Sequence, residues 1–133
     1  MERKMTLYTT FRLLHEAGAC VPRYEYLARK LGGITGYGED TPIPLLKILE
    51  LNGPEDCAWV FVLSAPTVPD AQRELARKVD EIVYQTFVQI LPYGHPSTWH
   101  TMRCECCRPF IPANIADIIR KAIEAVEREV EDA

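Results

Sequence analysis

The stretch from residue 36 to 59 constrains the fold most, because glycines and prolines mark where its helices begin and end. Pro42 suits the first position of a helix, where its missing N–H costs nothing, and Pro44 is tolerated within the same first turn. Gly53 provides a helix stop, and Pro54 begins another helix with carboxylates in its first turn. The sequence therefore predicts two short helices joined at Gly53.

Apolar residues recur every three to four positions in several other segments, which predicts a helix in each. We expect these helices over residues 5–17, 22–31, about 70–91, about 99–106, and from about 112 towards the end of the chain. The run 57–63 is apolar throughout, which favours a buried helix and leaves a short strand as the alternative. We predict an all-α fold of about six helices in one compact domain over residues 1–133.

Composition narrows the class of protein. Fifteen basic against nineteen acidic residues give a net charge of -4, which disfavours a broad nucleic-acid or anionic-membrane surface. No apolar run approaches the roughly 20 residues that span a bilayer, and no signal-peptide pattern opens the chain. Five cysteines, an odd number, argue against a secreted disulfide framework. We expect a cytoplasmic protein with reduced thiols and no membrane partner.

The glycine-rich loop 32–38 is the first candidate binding site. It holds four of the seven glycines, so positive φ angles or close backbone approaches are expected there. It lacks the phosphate-binding pattern G-x-x-x-x-G-K-[ST] and follows no predicted strand, so a structural turn is favoured over a ligand contact. We retain Tyr37, with Gly36 and Gly38 beside it, as candidate binding residues.

A second candidate is the ligand-rich segment 95–108. His100 and Cys104 lie four residues apart and could present two ligands to one zinc ion from a helical turn. Cys106 or Cys107 could supply a third, and the fourth could come from one of four more distant residues: His95, His15, Cys20 or Cys57. Adjacent cysteines point in diverging directions, so we expect no cofactor, with zinc at His100, Cys104, Cys106 and Cys107 as the alternative.

Basic and aromatic residues flank the same cysteines. Arg103 and Arg108 could lower a thiol pKa and so activate a nucleophile, but catalysis would also need a positioned base such as His100. Because the sequence has no specific catalytic motif, we predict that the protein is not an enzyme. Trp99, Arg103 and Arg108 are retained as candidate binding residues.

Three groups of residues carry a resemblance to a known family: Tyr37-Gly38-Glu39-Asp40-Thr41-Pro42-Ile43-Pro44-Leu45, then Asn52-Gly53, then Asp56-Cys57-Ala58-Trp59. With the segment 27–33 before them, they resemble a family of small helical proteins of bacteria and phages that includes immunity-type proteins. The similarity covers roughly residues 20–63. It implies a helical accessory protein that acts through contacts, and it transfers no catalytic residue.

Taken together, these features predict a non-enzymatic, acidic, accessory or immunity-like protein that binds another macromolecule, mainly a protein. A phage-encoded inhibitor of a host complex fits the same features. The alternative is a zinc- or thiol-dependent protein centred on residues 100–107. Nucleic-acid binding is disfavoured, because the predicted helix 42–51 offers a poor recognition surface beside phosphates.

Overall fold

The computed structural model describes residues 6–61, 67–92, 94–95 and 97–132, with side chains to residue 129. Eight α-helices, two two-residue strands and three 3₁₀ turns follow one another in these ranges, so the predicted all-α class is confirmed. The strands are β1 (Tyr8–Thr9) and β2 (Ile43–Pro44), and the helices are α1 (Phe11–Glu16), α2 (Val21–Lys30), α3 (Ile34–Tyr37), α4 (Leu45–Asn52), α5 (Pro54–Val60), α6 (Arg73–Gln85), α7 (Thr98–Arg103) and α8 (Ile115–Asp132).

The first helix is shorter than predicted, because β1 occupies the start of the segment. β1 pairs antiparallel with β2, with Tyr8 opposite Pro44 and Thr9 opposite Ile43. Thr10 then caps α1, its hydroxyl accepting the N–H of Leu13 at 3.1 Å. The prediction of a helix over 5–17 is therefore wrong before residue 11, and residue 5 lies outside the described ranges.

The same pairing corrects the predicted start of α4. Pro44 is not inside the helix but immediately before it, and Ile43 is extended in β2. The end was predicted correctly: Gly53 has φ of 94°, a conformation that favours glycine, and its N–H bonds to the carbonyl of Leu49. Pro54 begins α5 with Glu55 and Asp56 in the first turn, as the sequence indicates.

The apolar run 57–63 is helical as far as it belongs to α5. Cys57, Ala58 and Val60 are buried, and Phe61 follows in a turn with none of its surface exposed. The alternative of a strand is wrong for 57–60, and residues 62–63 fall outside the described ranges.

The long helix expected over 70–91 is broken at both ends. A 3₁₀ turn, Asp70–Gln72, leads into α6, and a second one, Val88–Ile90, follows it. Thr86 closes α6 by donating its hydroxyl to the carbonyl of Val83 at 2.7 Å. In the segment after it, α7 is shorter than the predicted helix 99–106, and α8 begins three residues later than expected.

The core lies where α8 crosses the other helices. α8 packs against α4, α5 and α6, and Ile119, Ile123 and Val126 on its buried face are fully enclosed. Val79 and Val83 of α6 meet this face. α4 and α5 pack against each other as a corner around Gly53 and complete the enclosure.

Polar side chains hold β1 on the side away from β2. The amide of Gln72 accepts the N–H of Tyr8 at 3.0 Å and donates to the carbonyl of Thr6 at 2.9 Å, as a neighbouring strand would. Glu127 of α8 accepts the N–H of Leu7 at 2.8 Å and is almost completely buried. β1 is thereby bonded to both the beginning of α6 and the end of α8.

Among the helices of the described ranges, none combines the length and the apolar composition that crossing a membrane would require.

Candidate functional site

A groove opens between α2, the α4–α5 corner and α7, and we call it the tryptophan groove. Its volume is about 500 Å³, within the roughly 300–1,000 Å³ typical of ligand sites. Fifteen residues line it: Leu14, Ala19, Cys20, Arg23, Tyr24, Leu27, Ile48, Asn52, Pro54, Glu55, Asp56, Trp59, Val60, Trp99 and Arg103.

Two tryptophans on different helices give the groove its apolar character. Trp59 comes from α5 and Trp99 from α7, two helices that pack together. Beneath them lie aliphatic side chains of the core, including Leu27 and Ile48. Half-buried tryptophans on such a floor offer large contact areas that are already held in place.

Arginines and carboxylates form the rim in two pairs. On the α7 side, the Arg103 guanidinium lies 5.3 Å from the centre of the Trp99 ring and 3.8 Å from Glu55. On the α2 side, Arg23 donates to Asp56 at 2.7 Å, and this bond raises the pKa of Arg23. The charges of the rim are therefore balanced within the protein.

Asn52, which lines the groove, has one side-chain atom without a hydrogen-bond partner. Its amide nitrogen donates to Asp56 at 3.0 Å, which fixes the orientation of the side chain. Its side-chain oxygen, Oδ1, is buried and has no hydrogen-bond partner among the described residues. A buried acceptor without a donor is costly to the stability of the fold.

Cys20 lies at the mouth of the groove, immediately before α2, with an exposed side chain. Val21 follows it as the first residue of that helix, is 63% exposed and does not line the groove. The two neighbouring positions therefore differ in whether a larger side chain would enter the groove.

The structure divides the predicted binding residues between three places. Trp99 and Arg103 line the tryptophan groove. Tyr37 does not: its hydroxyl donates to the carbonyl of Pro42 at 2.8 Å, and its ring packs edge-on against Phe11. Gly36 and Gly38 lie beside it in and after α3. Arg108 lies in the turn after the cysteines, where it donates to the carbonyl of Met102 at 3.3 Å.

The cysteine segment brings together a group that only partly matches the predicted zinc ligands. The ligand atoms of His95, Cys104 and Cys107 all lie within 4.8 Å of one another, and His95 Nε2 is 3.3 Å from Cys107 Sγ. Cys104 ends α7, and a turn closed by the N–H of Cys107 and the N–H of Arg108 on its carbonyl returns the chain. Cys107 is fully buried and Cys104 half-buried.

The turn also stabilises a thiolate on Cys104. The backbone N–H of Cys107 contributes most and that of Cys106 less, and together they lower the pKa of the Cys104 thiol. Cys104 and Cys107 have the spacing C-x₂-C, which is typical of zinc sites. This signal is present in the sequence, but the adjacency of Cys106 and Cys107 obscured it.

His100 and Cys106 are not members of this group. His100 Nδ1 lies 2.6 Å from Ser97 Oγ, and the same oxygen accepts the N–H of His100, so the pair caps α7. Cys106 is exposed in the turn. His100 thus takes part in the cap of α7, and it is not among the three residues whose ligand atoms lie close together.

Of the other cysteines, Cys57 lies in the core, where burial raises its pKa and its thiol donates to the carbonyl of Leu45 at 3.5 Å. Cys20 belongs to the tryptophan groove.

The groove residues Arg23, Asn52 and Trp59 were not singled out as binding residues by sequence reasoning, and Cys20 was considered only as a possible zinc ligand. In the sequence, Asn52 belongs to a helix stop and Trp59 to a buried apolar run. The two residues belong to one surface only because three helices meet in the folded protein.

No family model, no curated protein and no solved structure matches this chain. The resemblance seen over residues 20–63 therefore stays a prediction.

Proposed function

We propose that the protein is a non-enzymatic accessory protein that binds a short segment of a protein partner in the tryptophan groove. The observation that carries this proposal is the combination, in one groove, of two half-buried tryptophans and an apolar floor of core side chains. Tryptophan and arginine dominate the energetics of protein–protein contacts, and both occur here with neighbouring polar groups.

The groove also indicates the chemistry of the segment. An apolar floor fits an aromatic or aliphatic side chain. Arg23 and Arg103 already face carboxylates, so a strongly charged segment gains little from the rim. We therefore propose an apolar anchor carried by a peptide rather than by a nucleic acid.

The wider character of the protein follows from charge and sequence. A net charge of -4 favours association with a basic partner surface around the bound segment. We extend the proposal to an immunity-type or phage-encoded inhibitory role in the cytoplasm, where the thiols stay reduced. The resemblance over residues 20–63 supports this extension, and partner identification tests it.

Selection of a random peptide library against the purified protein tests the groove. We expect enriched peptides to share an aromatic or aliphatic anchor and to compete with one another for a single site. Cys20→Trp should weaken their binding about tenfold or more, because the new indole enters the mouth of the groove. Val21→Trp should leave binding unchanged, because the same side chain then points outside it.

Calorimetric titration of both variants with one selected peptide gives the decisive comparison. Equal losses in the two variants, or none in either, would place the peptide elsewhere and overturn the proposal. Selection of peptides without a shared apolar anchor would also contradict it, since the floor would then make no contribution.

A further inference from the structure

We propose that His95, Cys104 and Cys107 bind one zinc ion, with a water molecule as its fourth ligand. This site is separate from the tryptophan groove, since none of the three residues lines it. It keeps Cys104 and Cys107 of the sequence-based ligand set, omits His100 and Cys106, and uses His95, which the sequence offered among four possible fourth ligands.

The distances fit the proposed ion. With Zn–S bonds of about 2.3 Å and Zn–N bonds of about 2.0–2.1 Å, ligand atoms of a tetrahedral site lie roughly 3.4–3.8 Å apart. The His95 Nε2 to Cys107 Sγ distance is 3.3 Å, and no pair in the group exceeds 4.8 Å. Side-chain adjustments of about an ångström would place all three atoms around one ion.

The donor set fits zinc better than a hard cation. Two thiolates and one neutral imidazole are the ligands that zinc prefers, whereas magnesium and calcium prefer oxygen. Two thiolates also balance the charge of a divalent ion, which allows the site to include the fully buried Cys107.

The backbone already holds each ligand in place. The N–H of His95 donates to the hydroxyl of Tyr84 at 3.0 Å, which attaches His95 to α6. Cys104 ends α7, and the Cys104–Cys107 turn is closed by two backbone bonds to the carbonyl of Cys104, at 3.2 and 2.8 Å. Zinc would thus cross-link the segment after α6 to the end of α7, where regular structure is sparse.

Metal analysis of protein purified under reducing conditions without added metal tests the site. We expect about one zinc ion per chain, and we expect chelator-stripped protein to regain it with cobalt, giving thiolate-to-cobalt charge-transfer absorption. Cys104→Ser and His95→Ala should each weaken zinc affinity by more than about 10-fold, since even outer-sphere partners of metal ligands contribute that much.

Cys106→Ser is the matched control. It makes the same substitution two residues from Cys104, at an exposed position, and should retain full zinc content. Circular dichroism of each variant separates loss of zinc from loss of the fold.

Two results would overturn the proposal: folded, reduced protein that binds neither zinc nor cobalt, or equal losses of zinc in Cys106→Ser and Cys104→Ser. Cys20→Trp should retain zinc, so failure of the metal site and failure of the groove are distinguishable.

Discussion

Gly38 has the strictest backbone requirement of the residues around Tyr37. Its φ is 104°, and an added Cβ would collide with the hydroxyl of Thr41. Gly36, two residues earlier in α3, has no positive φ and open space where a Cβ would lie. The two glycines, paired in the sequence as candidate binding residues, thus have different structural constraints.

We expect Gly38→Ala to lower the free energy of unfolding by about 1–2 kcal/mol, because a side chain is forced into left-handed backbone. Gly36→Ala should be neutral or stabilise by up to about 1 kcal/mol, because alanine favours helix. Urea denaturation of both variants measures the difference. Equal effects would show that the turn at Gly38 relaxes freely.

Single residues also show what sequence reasoning can and cannot see. The helix end at Gly53 was predicted because its signal is local: a glycine directly follows an apolar helical segment. Its φ of 94° in the structure agrees with that prediction. Tyr37 looked available for binding, and only the structure shows its hydroxyl bonded to Pro42. Cys104 and Cys107 carried a readable C-x₂-C spacing, whereas the contribution of His95 depends on a chain reversal that no local pattern marks.

At the scale of elements, errors arose where a distant segment decides the local structure. The start of α4 was placed at Pro42 because proline there suits a helix, but pairing with β1 keeps Ile43 extended. Strands of two residues are too short to show an alternating pattern. The apolar stripe of α6 likewise continues into Phe87, which is buried although it lies beyond the end of the helix.

Asp80 illustrates such coupling between elements, because it lies on α6 and caps α7. Its carboxylate accepts the N–H of Thr98 at 2.9 Å. Burial raises the pKa of Asp80, and the bond from Thr98 offsets only part of that rise. The folded protein thus binds this proton more tightly than the unfolded chain, so the stability contributed by Asp80 falls as pH rises from about 4 through the folded-state pKa.

We expect Asp80→Asn, which keeps an acceptor for Thr98, to gain stability relative to the wild type as pH rises from about 4 towards neutrality. Asp80→Ala removes the acceptor as well and should lose about 1 kcal/mol at acidic pH, where the wild-type carboxyl is protonated. Urea denaturation across this pH range measures both. A difference between Asn and wild type that does not change with pH would show that the carboxyl titrates alike in the folded and unfolded chains.

At the scale of the whole molecule, the bond between Leu7 and Glu127 joins positions 120 residues apart. Together with Gln72, it supplies β1 with hydrogen bonds that a second neighbouring strand would otherwise provide. A single cluster of buried side chains includes both Leu7 and Val126. The Leu7–Glu127 bond and the core therefore depend on the same position of α8.

We expect Glu127→Ala to lower the free energy of unfolding by about 2–3 kcal/mol, because a buried N–H loses a charged acceptor. Glu129→Ala, which removes an exposed partner of Lys78 two residues further along α8, should cost no more than about 1 kcal/mol. Thermal and urea denaturation provide the comparison. Similar losses in the two variants would show that the buried bond contributes no more than a surface ion pair.

The Leu7–Glu127 bond also has a consequence for biosynthesis. Leu7 is made early, but the carboxylate that accepts its N–H belongs to Glu127, which is added only when more than half of α8 has been translated. Until then, this N–H can bond only to water or to a transient partner, and the apolar residues around it are not yet buried. This part of the chain should therefore complete its folding only when α8 docks.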